Sequence, residues 1–563
     1  MQASTDPERR CYCGKLYQTI SSLGRHTRGC SASSGDCKRF LQLLAYLEPG
    51  PVPGDLFRRA LLPFRKWNEN GNESRERPFH LPDVFSNEGR LVKAVQDAID
   101  THAVLVTIGS SVPDANHGGP WWAYRNFELP ESSRTFIRNS VEYLDGQLDS
   151  TRLVFHGFPI PDLDDSFVEK GNALLPFVVP LLLKPPVDKL LVDELPSTIE
   201  VCISISHFGD HDFKRHALAV AQALADRIGP SPLDFSIALR RATLALAGGQ
   251  TASISPSPRL DRKGNSQRAE AILFHAQQYV ELGHLSKAWE LVGQWTPFHA
   301  AQPSSLETVM SSRLDFMKGK LHRFQGNFEA ARQYFEPLSS QYPPTRIQFS
   351  ARLHLIAVLT ELGLWEKAQT VADGIEIASG RQRRLYRLAQ AELLLSRALC
   401  GFEKDLPSAK GLFADIVSEY EGLVPFGKTM RRNFFRACFG LAVIGHLQRR
   451  GQALFGALGS LSGWELAYRA SRECLVVAED FPDLVCHLSM AQVQSSVSGQ
   501  SGPALERAKQ IWAALSTQGL EQRFCFTNLG TRWVDMVSEW LEASGCPRIV
   551  SPWGGPVNKN EKE

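Results

Sequence analysis

The chain has 563 residues, 43% of them hydrophobic and 22% charged, the balance of a folded protein rather than a disordered one. Its 62 lysines and arginines stand against 60 aspartates and glutamates, a net charge of +2, which excludes a strongly basic nucleic-acid binder or an acidic buffer protein. The longest apolar run, Ala173 to Leu183, holds Pro176 and Pro180 and is too short to cross a bilayer, so no membrane partner is expected. The N-terminus lacks the apolar core of a secretory signal, and the 11 cysteines are scattered, so reduced thiols in a cytoplasmic setting are expected.

Residues 1–37 read as a leader. Within it Cys11, Cys13, His26 and Cys30 have nearly the ligand spacing of a zinc finger, with Tyr17 and Leu23 at the core positions of such a finger. The single residue between the first two cysteines strains chelation of one ion. Residues 16–23 also read as an amphipathic helix, so zinc is the alternative and no cofactor is the primary reading.

Residues 38–130 read as a small domain of helices followed by a strand pair, which suggests a winged-helix-like fold. Phe40 to Ala60 forms a helix, a proline turn and a second helix opening near Asp55. Residues 68–78 look like a polar insertion, Leu91 to Ile99 is helical, and Ala103 to Ile108 is a short β-like run. A helical connector, or diverged repeats, is expected over 131–249, followed by a Ser/Pro/Gly-rich linker over 250–267.

The rest repeats itself. Gly283, Gly326 and Gly363 are each followed two residues later by a bulky apolar side chain and three residues after that by Ala288, Ala331 and Ala368. Glycine ends one helix in a left-handed turn, the bulky residue folds back, and the alanine lets the next helix come close. Around Gly326 the pattern extends to Gly319, Phe335 and Pro343, and there it resembles the tetratricopeptide repeat (TPR) family. Weaker copies continue over 268–545, ending near Leu529-Gly530-Thr531 and Trp533, with a flexible tail expected over 546–563. Residues 451–463 have no repeat counterpart and read as a loop insertion.

Phe40, Leu41, Leu43, Leu44, Ala45, Leu47 and Pro49 form a motif of the type FL-x-LLA-x-L-x-P. Placed before a repeat array, it resembles the back half of fungal STAND proteins, the NLR-like signalling ATPases. That resemblance implies an all-α chain, a TPR-like helical superhelix preceded by a small winged-helix-like domain, serving as the sensor half of a signalling regulator. The chain departs from the family in having neither an effector domain nor a complete nucleotide-binding domain ahead of the motif.

Chemistry-bearing motifs are few. Gly422 to Thr429 fits a phosphate-loop spacing, but an amphipathic helix rather than a strand precedes it and Pro425 removes a backbone donor, so it reads as a helix connection. His207, His211 and His216 lose a shared helical face because Gly209 intervenes; Asp210 or Asp212 reads as a helix cap. No metalloprotease, nucleophile-elbow or dinucleotide fingerprint occurs, so no catalytic residue is assigned and no enzyme is expected. The expected function is a protein–protein interaction scaffold with a protein or peptide partner. Its groove would carry Arg384, Arg387, Arg431 and Arg432, basic residues at matching places in adjacent repeats. The alternative is a nuclear zinc-finger transcription regulator that also binds nucleic acid.

Overall fold

The computed structural model describes residues 32–47, 50–100, 103–108, 120–139, 146–164, 166–183, 189–247, 250, 252–254, 261–282, 284–340, 347–377, 380–421, 428–449, 454–474, 481–498, 502–518, 533, 537 and 539. These are mostly helical, with five short strands among them, and fall into two units. The first comprises residues 1–68 and 72–241; the second comprises 69–71 and 242–563.

In the first unit, α1 (Ala32–Tyr46) leads to β1 (Val52–Pro53), α2 (Gly54–Leu61), β2 (Phe64–Trp67), β3 (Glu73–Glu76) and α3 (Glu88–Asp100). Then come β4 (Leu105–Ile108), β5 (Arg125–Glu128), α4 (Glu131–Asn139), α5 (Gly146–Gly157), α6 (Phe167–Leu183), α7 (Leu195–Ile205), α8 (His211–Ile228) and α9 (Pro232–Ala247). β5 pairs antiparallel with both β1 and β4, placing Phe127 opposite Val52 and Val106. The FL-x-LLA motif is helical because its apolar residues recur at three and four positions. Its Phe40 packs against Phe57 at 5.1 Å and Phe127 at 5.9 Å. Gly54 opens α2 with its Cα against the Trp122 carbonyl, where a Cβ would collide.

Two expectations for this unit change. Residues 68–78 are not a plain insertion, because Glu73–Glu76 pairs with Phe64–Trp67 as a hairpin. Opposite charges across the strands favour the pairing: Arg65 meets Glu73 at 2.9 Å and Lys66 meets Glu76 at 2.6 Å. Residue 130 marks no break in packing either, since one hydrophobic cluster runs from Cys37 to Ile237.

The second unit continues with α10 (Arg262–Glu281), α11 (Leu285–Gly293), α12 (Ser305–Phe324), α13 (Phe328–Ser340), α14 (Gln348–Glu361), α15 (Trp365–Asp373) and α16 (Gly380–Leu399). After these come α17 (Leu406–Glu421), α18 (Lys428–Arg449), α19 (Leu454–Cys474), α20 (Phe481–Ser498) and α21 (Gly502–Gln518). Each helix packs on the next, and α10, α12, α14, α16 and α18 also pack side by side in that order. These five are called first helices below, and their followers second helices.

One turn recurs. His284 N donates to Tyr279 O, Asn327 to His322, Leu364 to Leu359, and Phe402 to Arg397, the same five-residue closure each time. Gly326, Gly363 and Gly401 in these turns have φ of +78°, +75° and +102°, values that disfavour any residue with a Cβ. Gly283 lies outside the described residues. Ala288, Ala331, Ala368 and Ala409, just inside the second helices, are all fully buried. In α12 and α13, Gly319 lies against Phe335, whose ring would be 2.8 Å from an added Cβ. Contact between a residue near the end of one helix and one past the start of the next means that the two run antiparallel.

Two expectations change here as well. Residues 262–267 belong to α10 rather than the linker, because Asp261 caps the helix by accepting from Gly264 N at 2.7 Å. Residues 454–463 are the start of α19 rather than a loop. Gly463 faces α18 there, where an added Cβ would make an ordinary contact with the Ala442 Cα at 3.6 Å.

Ala331 has no room for a charge. Ala331→Glu should destabilise the protein by about 3–5 kcal/mol, the scale of an unpaired buried charge, and denaturant melts would show it. Unchanged melts would mean that this helix crossing is absent.

Candidate functional site

The first helices carry polar residues at seven-residue spacing, which returns a side chain to nearly the same face after two turns. On α10 these are Glu270 and Gln277; on α12, Arg313 and Lys320, with Arg323 one turn further; on α14, His354 and Glu361. Glu392 of α16 and Arg436 of α18 continue the stripe. The helices are tied through it. Arg313 meets Glu270 at 3.4 Å, Lys320 donates to Gln277 at 2.7 Å, and Arg323 donates to His354 Nδ1 at 2.8 Å. Arg436 grips both oxygens of the fully buried Glu392, at 2.8 and 2.6 Å.

The chemistry at His354 is defined by its partner. A guanidinium only donates, so Nδ1 accepts and the neutral ring carries its proton on Nε2. Burial pushes the His354 pKa well below the usual value, and the cations Arg323, Lys320 and Arg436 push it further. Arg323 is itself lowered to about 10, by burial first and by Arg436 next, against the opposing pull of Glu392 and Glu361. Phe335 stacks on the His354 ring at 5.2 Å and Phe316 meets its edge at 5.3 Å, which fixes the ring's plane.

The four arginines expected in the groove are not brought together. Arg384 and Arg387 turn to Glu419 of α17, the second helix of their own pair, at 3.2 and 3.5 Å. Arg431 is exposed and Arg432 half-buried; adjacent residues on a helix point about 100° apart, so these two do not share one face. Arg432 lies one turn before Arg436 and belongs to the polar stripe. The residues that sequence reasoning missed, Lys320, Arg323, His354, Glu361 and Glu392, carry no run of like charge. Their available signal was position: Glu270 to Arg313 and Gln277 to Lys320 are each 43 residues apart, the step from Gly283 to Gly326.

Other expected sites are quickly placed. Cys11, Cys13, His26 and Cys30 lie outside the described residues, as do residues 422–427 of the phosphate-loop match. Among the described residues no cluster of His, Cys, Asp and Glu could hold a metal ion. Asp210 caps α8 by accepting from Phe213 N at 2.8 Å, and His216 is hydrogen-bonded to the Leu182 carbonyl at 3.1 Å. In the first unit a cleft of about 430 Å³ is lined by Asp36, Arg39, His80, Arg90, Asp149 and Arg152. Its charges are matched: Arg90 pairs with Asp36 at 2.7 Å, Arg39 with Asp149 at 2.6 Å, and Arg152 with buried Glu194 at 2.7 Å.

A neutral buried histidine makes stability fall with acid. Below the ordinary imidazole value of about 6.5 the unfolded chain takes up a proton that folded His354 refuses, so each such group removes about 1.4 kcal/mol per pH unit. His487, lowered to about 4, acts with the same sign, as do His156 and His322. Denaturant melts between about pH 7 and pH 5 should therefore show falling stability, with a shallower slope for His354→Phe. Equal slopes would mean that His354 titrates normally when folded. No protein-family model matches this chain, and no curated protein matches it.

Proposed function

We propose that this chain is a non-enzymatic interaction scaffold that presents the face of its first helices to a protein or peptide partner. The observation that carries the reading is the side-by-side packing of α10, α12, α14, α16 and α18, with polar side chains recurring along it. A stack of helix pairs buries its core between neighbours and leaves one layer of helices to form a long surface, which suits capture of an extended segment. The recurring glycine turn and buried alanine support a TPR-like superhelix. The helices and the β1-β5-β4 sheet of the first unit support a winged-helix-like domain. Together with the FL-x-LLA motif they favour the sensor half of a STAND-type regulator. Among the described residues no helix is long and apolar enough to cross a membrane.

A random-peptide display selection on the whole protein tests the reading. It should yield peptides that bind saturably, lose binding on Gln277→Arg in α10 and keep it on Gln333→Arg, an exposed position of second helix α13. No saturable binder, or equal loss in both variants, would rule out a first-helix binding face.

A further inference from the structure

The cleft of the first unit, about 430 Å³, is of a size that holds a small molecule. Its walls come from α1, α3, α5 and the segment between β3 and α3, and three arginine side chains line it. Each is anchored by a carboxylate and keeps a donor over. Arg152, 9% exposed, gives Nε and Nη2 to Glu194 at 2.7 and 3.0 Å; its Nη1 stops 3.6 Å from Asp149 Oδ1, too far for a hydrogen bond. Arg90 gives the same two nitrogens to Asp36, at 2.8 and 2.7 Å, and its Nη1 reaches Ser86 Oγ only at 3.4 Å. Arg39 pairs with Asp149 and Gln42 through its two terminal nitrogens, and its Nε donates to none of the described residues. A desolvated guanidinium N–H without an acceptor costs free energy that a ligand can recover.

Acceptors are left over beside these donors. The Asp36 carboxylate, 8% exposed, has about four acceptor sites, of which Arg90 fills two. Asp83 also lines the cleft; it is exposed, and its carboxylate bonds none of the described residues. A charged ligand gains little here, because it would have to displace one member of a closed ion pair. A hydroxyl gains without displacing anything, since it accepts from a leftover N–H and donates to a leftover carboxylate lone pair. Guanidinium and carboxylate are planar two-pronged groups, and neighbouring hydroxyls on a ring present the matching pair of atoms. No phenyl, phenol or indole ring lines the cleft among the described residues, which gives a planar heterocycle no face to stack on.

We propose that this cleft binds a sugar, with Arg39, Arg90 and Arg152 donating to its hydroxyl oxygens and Asp36 and Asp83 accepting from its hydroxyl groups. Leu81 and Pro82 line the same cleft and offer the C–H face of the sugar ring an apolar wall. The site lies within the first unit, so it stands or falls independently of the scaffold reading of the first helices.

The test is ligand-observed saturation-transfer NMR on the full chain, with D-glucose, D-galactose, D-mannose and N-acetyl-D-glucosamine offered one at a time. At least one should bind saturably. Since the ligand is uncharged, its affinity should hold as salt rises from about 0.1 M to about 1 M, while the screening length falls from about 10 Å to about 3 Å. Asp83→Ala should weaken binding by about tenfold, the scale of a lost hydrogen bond to a charged group. Arg39→Gln should act alike, and Asp83→Ala, at an exposed position, decides the matter if Arg39→Gln does not fold. Arg215→Gln, whose arginine pairs with Asp212 on α8, should bind as the parent does. The proposal is overturned if none of the four sugars binds, if the cleft variants bind at full strength, or if affinity collapses with salt. It is equally overturned if glycine at equal concentration displaces the sugar, which would mark a site for a zwitterion.

Discussion

The fold of the second unit depends on one close approach, made again and again: a second helix laid against its first at a buried alanine. The alanine is small enough for the approach, and the glycine turn before it aims the chain back at the right angle. Once Ala288, Ala331, Ala368 and Ala409 are buried in this way, the remaining apolar side chains have only one place to go. Helix α16 shows the consequence. Leu388, Ala391 and Leu395 join the cluster shared with α17 and α18, while Ala389 and Leu393 join that of α13, α14 and α15. A helix with two buried sides links neighbouring pairs into one stack, so that stability accumulates from repeat to repeat.

That arrangement dictates where charge can sit. A first helix touches its own second helix, the preceding pair and the following first helix, so little of its circumference remains for polar groups. Those present are forced to meet each other across helices. Glu392 is buried at 0% exposure with both oxygens held by Arg436, and Glu307 is buried with Ser304, Asn265 and the Phe298 amide around it. Burial alone would raise the Glu307 pKa, yet these bonds hold it below the usual carboxylate value.

The helical character, the glycine turns and the alanines were legible because they follow local rules that act within a few residues. Gly326 needs left-handed backbone and Ala331 needs a small side chain whatever else the chain does. The glycines of residues 454–463 misled for the converse reason. Locally they weaken a helix, and it is packing against α18, seen where Gly463 faces Ala442, that holds the segment helical. The hairpin of β2 and β3 was hidden in the same way, since its charges look like a solvated insertion until opposite strands are set side by side. The groove arginines were misplaced because a run of like charge says nothing about direction. Arg384 and Arg387 differ from Arg436 in facing the second helix of their own pair instead of the preceding first helix. Alignment on the turns, not on the charges, carries that information.

Arginines in both units are held by carboxylates. In the cleft of the first unit Arg39, Arg90 and Arg152 are each matched by a carboxylate, so an arriving anion would have to displace a partner already bound at 2.6 to 2.7 Å. Such pairs fix geometry and offer little net attraction. Near His354, burial first and Arg436 next lower the Arg323 pKa to about 10, against the opposing pull of Glu392 and Glu361. Replacing one member of such a buried ionic cluster leaves the others uncompensated, whereas replacing the whole cluster with apolar side chains of similar volume is often neutral or stabilising.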